Sequence, residues 1–271
     1  MTRHLDPPRR RVYDAAPPGA AAPFAWRLDP MADPRRPRRT PRAAPRITLG
    51  IDEAGRGPAV GPMVMAAVAL DTQAAAALTR AGLSDSKSFG AGDDAHAIRC
   101  ELDQAIRARA RFVMTIEVEH TEIDERVARN ELNMLERELA IRLIERATGE
   151  LAQLDRIIAD GKRMFFALGQ RFERFESHDR AEEKHAAVAA ASVVAKVLRD
   201  RRFDQIRRRY EPELGPITGG GYANAATRRW LRAYCERYGR LPDEARRSWP
   251  HAYVEDLIGE VAAPAPQLSL I

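Results

Sequence analysis

Asp52 and Glu53 close an apolar run that starts at Ile47, and a turn holding Gly55, Gly57 and Gly61 follows at once. Asp160 closes a second such run and is followed by Gly161, and Glu182 and Glu183 stand just ahead of a long stretch of alanine and valine. Carboxylates gathered at one edge of a sheet repel one another, and burying them uncompensated costs on the order of several kcal/mol. A hard divalent cation removes that cost, and Mg²⁺ prefers oxygen ligands and water. Two such ions a few ångströms apart clamp the attacking and leaving oxygens of a phosphodiester. Solvated strand-end acids are the bland alternative for any one of these residues. The glycine turn beside the first pair tips the balance toward chemistry.

That turn, Gly55-Arg56-Gly57-Pro58, resembles a dinucleotide-binding loop only loosely. Acids directly before the glycines would repel a pyrophosphate, and Pro58 and Pro62 spoil a smooth helix start. A strand-turn-strand fits better. Its glycines would let a nucleic-acid backbone approach the main-chain N–H groups, and Arg56 would add a charge-assisted phosphate contact.

The elements that must position these groups follow from periodicity. Residues 47–52 read as a strand, 63–70 as its antiparallel neighbour, and 111–118 as a third strand. Leu132, Leu135, Leu139 and Leu143 lie at helical spacing within 131–146. Residues 156–160 and 171–176 read as two further strands. Helices are expected over about 184–210, 227–238, capped by Gly239, and 243–249. Leu135, Leu139, Val188, Val194 and Leu198 read as core, and Arg207-Arg208-Arg209 as solvated helix surface. No internal repeat is present. Strands first and helices later give an α/β class, a mixed sheet flanked by helices with a helical C-terminal extension.

Composition narrows the setting. At 271 residues and 45% hydrophobic, the chain suffices for one large domain plus an appendage. Cys100 and Cys235 make no disulfide framework, no signal pattern opens the chain, and the apolar run 63–70 is far too short for a bilayer, so a cytoplasmic location is expected. The net charge of +5 points to nucleic acid, but it is unevenly spread. Residues 1–46 hold eleven Arg against four acids and ten of the 18 prolines, and the remainder is slightly acidic. The expected organisation is a disordered leader over 1–45, a catalytic domain over 46–210, a helical extension over 211–260 and a flexible tail over 261–271.

An ordered series of motifs resembles the ribonuclease HII (type 2 ribonuclease H) family. GIDEAGRGPAVGP, beginning at Gly50, resembles its opening motif, and Leu83-Ser84-Asp85-Ser86-Lys87 its Asp-Ser-Lys element. Asp160-Gly161 is similar to its third catalytic position and AAVAAASVVAKVLRDR, residues 186–201, to its long-helix signature. GGYANAATRRWL and the Arg-Arg-Ser-Trp of 246–249 resemble its C-terminal elements, closer to the archaeal and eukaryotic branch. The resemblance spans about 46–258. It implies a ribonuclease H-like fold, cleavage of RNA in RNA/DNA hybrids, incision 5′ of a ribonucleotide embedded in duplex DNA with 3′-hydroxyl and 5′-phosphate ends, and Mg²⁺ or Mn²⁺ as cofactor.

Carried over by position, Asp52, Glu53, Asp160 and Glu182 are the expected metal ligands. Glu182 stands where the family usually has Asp, which gives the Asp-Glu-Asp-Glu set of the related ribonuclease HIII class; Asp179 is a substitute three residues out of register. Gly55, Arg56 and Gly57 would grip the ribonucleotide through backbone groups at its 2′-hydroxyl. Tyr222 would stack at the RNA–DNA junction, and Lys87, Ser192, Lys196 and Arg199 would contact phosphates. The alternative is a hybrid-binding protein of the same fold with reduced or lost turnover. The last residues, with Gln267, Leu268, Leu270 and Ile271, resemble the short peptide with which bacterial replication proteins dock on the sliding clamp. The protein is expected to be a monomer.

Overall fold

The computed structural model describes residues 44–83, 93–259 and 261. The expectations for the leader up to residue 43, for Lys87 and for the clamp-like tail lie outside these residues.

Burial dictates the layout. All nine residues of β2 (Met63–Asp71) are buried, so this strand is covered on both faces. It pairs antiparallel with β1 (Ile47–Ala54) and with β3 (Phe112–Val118). On its other side β1 runs parallel to β4 (Arg156–Asp160), which runs parallel to β5 (Phe175–His178). The five strands form one mixed sheet in the order β3-β2-β1-β4-β5. Alternation sends Met63, Met65 and Ala67 of β2 to one face, where Leu135, Leu139 and Leu143 of α4 (Leu132–Glu150) complete a core. Val64, Ala66 and Val68 face the other way, onto the alanine- and valine-rich first half of α6 (Ala186–Leu214).

Gly50 explains how closely α6 lies on the sheet. A Cβ there would run into the Ala187–Val188 backbone, so only glycine permits this crossing. From the crossing, two residues of strand reach Asp52 and five residues of helix reach Ser192, about 7 Å in each case. The close approach thus sets Asp52 beside Ser192.

The remaining helices are α1 (Thr72–Arg80), α2 (Asp93–Arg109), α3 (His120–Ala128), α5 (Lys162–Phe165), α7 (Ala225–Tyr238) and α8 (Glu255–Ile258). Asp71 caps α1 by accepting from the Gln73 and Ala74 amides at 2.9 and 2.8 Å. Gly239 ends α7 in the left-handed conformation, as the sequence leads one to expect. Trp230 and Leu231 of α7 pack on Phe203 and Ile206 in the second half of α6, with Val60, Leu241 and Val254.

Two expected elements differ. The fifth strand lies at Phe175–His178 rather than 171–176, because residues 171–174 form the turn that enters it. Residues 243–249 are not helical. Ala245 forms an antiparallel bridge with Val60, Gly61 N donates to Glu244 O at 2.9 Å and Arg246 N to Ala59 O at 2.8 Å. That backbone is spent on the 55–62 turn instead of on a helix. No helix among the described residues is long and apolar enough to cross a membrane.

Candidate active site

Parallel pairing aligns the ends of β1 and β4: Ile51 lies opposite Ala159, so Asp52 and Asp160 follow side by side on the face that meets α6. Asp160 Oδ1 accepts from Ala181 N at 2.8 Å. This bond ties the strand end to the short 3₁₀ turn Ala181–Glu183, which carries Glu182 into the same corner. Asp52 and Glu182 are 6% and 5% exposed. Glu53 points to the opposite face of the strand, toward α4.

The electrostatics show how tightly the acids are gathered. Burial, then the Asp160 charge, raises the Asp52 carboxyl well above the ordinary carboxylate range into neutral pH, against a hydrogen bond from Ser192 and with a further push from Glu182. Burial, then Asp52 and Glu136, raises Glu53 likewise, and Arg56 opposes the rise. Asp179, the out-of-register substitute, accepts from Lys162 N at 2.8 Å at the start of α5 and is exposed. Glu182, not Asp179, therefore shares the field of the other acids.

Among the described residues no three His, Cys, Asp or Glu side chains form a ready-made cage. The fit to a metal rests on the donor set. Four carboxylates, two of them disfavoured as anions by burial and by neighbouring acids, are hard oxygen donors whose repulsion a divalent cation would relieve.

A cleft of about 400 Å³ opens beside the acids, lined by Glu53, Gly55, Arg56, Gly57, Ser192, Lys196 and Tyr222. Six of the substrate-binding residues expected from sequence thus line one cleft together with Glu53, one residue of the set. Arg99, on α2, lines it too and lies 4.0 Å from Asp200. Tyr222 is 41% exposed at the cleft, with the Arg199 guanidinium 4.8 Å from its ring centroid.

Two arginines are placed otherwise than expected. The Arg56 guanidinium pairs with the fully buried Glu136 and donates to Asn133 Oδ1 at 2.8 Å, so its charge is committed to α4 rather than offered to a phosphate. Arg199 is 4% exposed, pairs with Asp200 at 2.9 Å and donates to the Gly220 carbonyl. Its guanidinium is too deeply enclosed for a phosphate, and it supports the glycine turn that presents Tyr222. As expected from sequence, Arg207, Arg208 and Arg209 are surface residues, engaged with Asp204, Glu211 and Glu244.

Sequence reasoning missed Glu136 and Arg246 as site residues. Glu136 lies one turn from Leu132 on the apolar stripe of α4, and an acid on a buried stripe is the signal that finds it. Arg246, 0% exposed, sits in a segment without periodicity. It donates to the carbonyls of Gly55 at 2.5 Å, Arg56 at 2.8 Å and Gly61 at 3.0 Å. Gly55 needs its φ of +87°, and a Cβ there would meet the Pro62 carbonyl at 2.7 Å.

Comparison with known proteins agrees with this geometry. Residues 49–252 match the model of the family described as ribonuclease HII. The ribonuclease HII of Pyrobaculum islandicum is 38% identical over 205 residues, covering 74% of this chain and 94% of that protein. The crystal structure of ribonuclease H2 from Pyrococcus horikoshii OT3 superposes with a TM-score of 0.64 at 26% identity, over 78% of this chain and 97% of that one. The ribonuclease HII in a complex with PCNA from Archaeoglobus fulgidus gives 0.63 at 29% identity, over 75% and 95%. With its mixed sheet flanked by helices, the chain belongs to the ribonuclease HII family, endonucleases that hydrolyse RNA in RNA/DNA hybrids with the help of divalent metal ions.

Proposed function

We propose that the enzyme also incises duplex DNA on the 5′ side of single embedded ribonucleotides, leaving 3′-hydroxyl and 5′-phosphate ends, with Mg²⁺ or Mn²⁺ at Asp52, Glu53, Asp160 and Glu182. One observation carries the reading: mutually repelling carboxylates are gathered at the strand ends, and one of them, Glu53, lines a cleft whose other wall is a glycine turn. Bound there, divalent ions supply the activation of the attacking water and the charge stabilisation of the leaving oxygen.

The chain's own residues do the rest. Ser192 donates to Asp52 and fixes that carboxylate's orientation. Main-chain groups of Gly55, Arg56 and Gly57 face a ribose from one side, and the 2′-hydroxyl is the group by which a site tells RNA from DNA. Tyr222 offers a ring face from the other side, held by Arg199. Lys196 meets a phosphate, a contact that positions the duplex without reading bases. Glu182 reaches one methylene further than an aspartate, a difference in reach that would bear on the preference between Mg²⁺ and Mn²⁺. The C-terminal peptide with Gln267, Leu268, Leu270 and Ile271 docks on a sliding clamp, in keeping with the PCNA complex of the Archaeoglobus relative.

The test is a DNA duplex holding one ribonucleotide, incubated with the protein and either metal beside Asp52→Asn. A single nick 5′ of the ribonucleotide, absent in the variant, is expected. Tight binding without a nick in either metal would replace this reading with the non-catalytic hybrid binder.

A further inference from the structure

The 2′-hydroxyl reading needs N–H groups on the 55–57 turn that face the cleft, and what turns them lies behind, in the C-terminal segment. Arg246 spends each of its three guanidinium nitrogens on a different main-chain carbonyl, those of Gly55, Arg56 and Gly61. Trp249 Nε1 donates to a fourth, Gly57 O, at 3.1 Å, and its ring lies 4.9 Å from the Arg246 guanidinium carbon. The segment is itself anchored. His251 Nε2 donates to the Arg246 carbonyl at 2.8 Å, and Asp124 on α3 accepts from the Arg247 and Ser248 amides at 2.8 and 3.0 Å.

In a trans peptide the C=O and the N–H point in opposite directions, and no described peptide bond is cis. A carbonyl drawn toward Arg246 therefore sends the next residue's N–H away from it. The Gly55 and Arg56 carbonyls so direct the amides of Arg56 and Gly57, two residues that line the cleft. The other two tethered carbonyls, of Gly57 and Gly61, precede Pro58 and Pro62 and direct no N–H. Four tethers thus leave two donors, both on the substrate side.

We propose that Arg246 is a positioning residue for ribonucleotide selectivity: from behind the turn it aims the Arg56 and Gly57 amides at the 2′-hydroxyl. The proposal rests on the reading of the site given above. A plain structural role, satisfying buried carbonyls, predicts loss of stability alone. A positioning role predicts loss of discrimination as well.

Binding is measured by fluorescence anisotropy in Ca²⁺ on a duplex with one ribonucleotide and on its all-DNA counterpart. Arg246→Lys keeps the charge but replaces a planar three-nitrogen fork with a single ammonium. The ribo-to-deoxy affinity ratio is expected to fall about tenfold, the worth of one well-placed hydrogen bond, with all-DNA affinity changed less than about twofold on the same reasoning. Trp249→Phe removes the tether on a carbonyl that directs no N–H, and it should lower the melting temperature while the ratio holds. An Arg246→Lys ratio equal to the wild type, or an equal fall in Trp249→Phe, overturns the proposal. Should Arg246→Lys not fold, the wild-type amide resonances of Arg56 and Gly57 decide. They should shift with the ribonucleotide duplex and not with all-DNA, and identical shifts overturn the 2′-hydroxyl reading and the role of Arg246 with it. A wild type without any ribo-to-deoxy preference overturns the site reading itself, whereas a preference retained in Arg246→Lys overturns only the role of Arg246.

Discussion

The strand-end acids and the turn beside them hold buried polar groups in opposite ways. At the ends of β1 and β4 the charges face each other, and the chain supplies little to offset them, so the Asp52 and Glu53 carboxyls are forced toward their neutral forms. In the 55–62 turn, four carbonyls are each met by a donor from Arg246 or Trp249. One region leaves its charges to be offset from outside the chain, as the proposed metal site requires, and the other is satisfied from within. That difference separates the part that receives a ligand from the part that shapes the ligand's surroundings, and Arg56, whose charge lowers Glu53 while its carbonyl serves Arg246, joins the two.

The comparison breaks most sharply at Asp52. Asp52→Asn should reduce cleavage on the order of 10²–10³-fold, the usual cost of losing one group that stabilises developing charge. It should also make the metal-free protein more stable at pH 8. The folded-state pKa of Asp52 lies above its unfolded value, so between about pH 4 and neutrality the folded state binds more protons than the unfolded state. Metal-free stability therefore falls as pH rises through that window and levels off above it. The variant should show a shallower fall. Urea midpoints at pH 5 and pH 8 in EDTA measure this, and a wild type equally stable at both would mean that burial and the neighbouring acids do not raise Asp52 as described.

Arg56→Ala probes the junction of the two regions. Glu136 is 0% exposed, and removing its guanidinium partner leaves a buried carboxylate, which costs roughly 3–5 kcal/mol for an enclosed pair. Arg56 is itself one-third exposed, so about 2–3 kcal/mol is the expected loss by urea denaturation. Adding Glu136→Gln should recover part of it. A loss that Glu136→Gln does not relieve would mean that Arg56 acts on Glu53 rather than on Glu136.

The two regions were unequally legible in the sequence. Acids at strand ends, a glycine turn and the leucine spacing of α4 are local signals, and they located β1, β2, β4, α4, α6 and α7 to within a few residues. The nine-residue α1 and α3 and the charged α2 carry none of these signals and were not resolved as elements. Residues 243–249 read as helix because propensity says nothing of a bridge to Val60, which lies 185 residues away along the chain. The same distance hid Arg246, and no spacing rule links its guanidinium to Gly55. Arg56 and Arg199 were read as phosphate contacts because a sequence shows a charge and not its partner. The partners, Glu136 and Gly220, come from α4 and from the loop before α7.

The smallest expected effect tests whether charge as such matters. Along the second half of α6, Arg208 pairs with Asp204 at 3.0 Å, but the arginine is 74% exposed. Exposed pairs at this spacing contribute about 0.3–0.5 kcal/mol. Arg208→Ala should therefore change stability by no more than that and leave cleavage of a ribonucleotide duplex unaltered at physiological salt. The informative measurement is the slope of log affinity against log salt concentration. An unchanged slope keeps the duplex on the cleft side of the molecule, over Lys196 and Tyr222. A slope reduced by about one is the mark of a lost phosphate contact. It would extend the nucleic-acid surface along the back half of α6, where the arginines now stand paired with acids of their own chain.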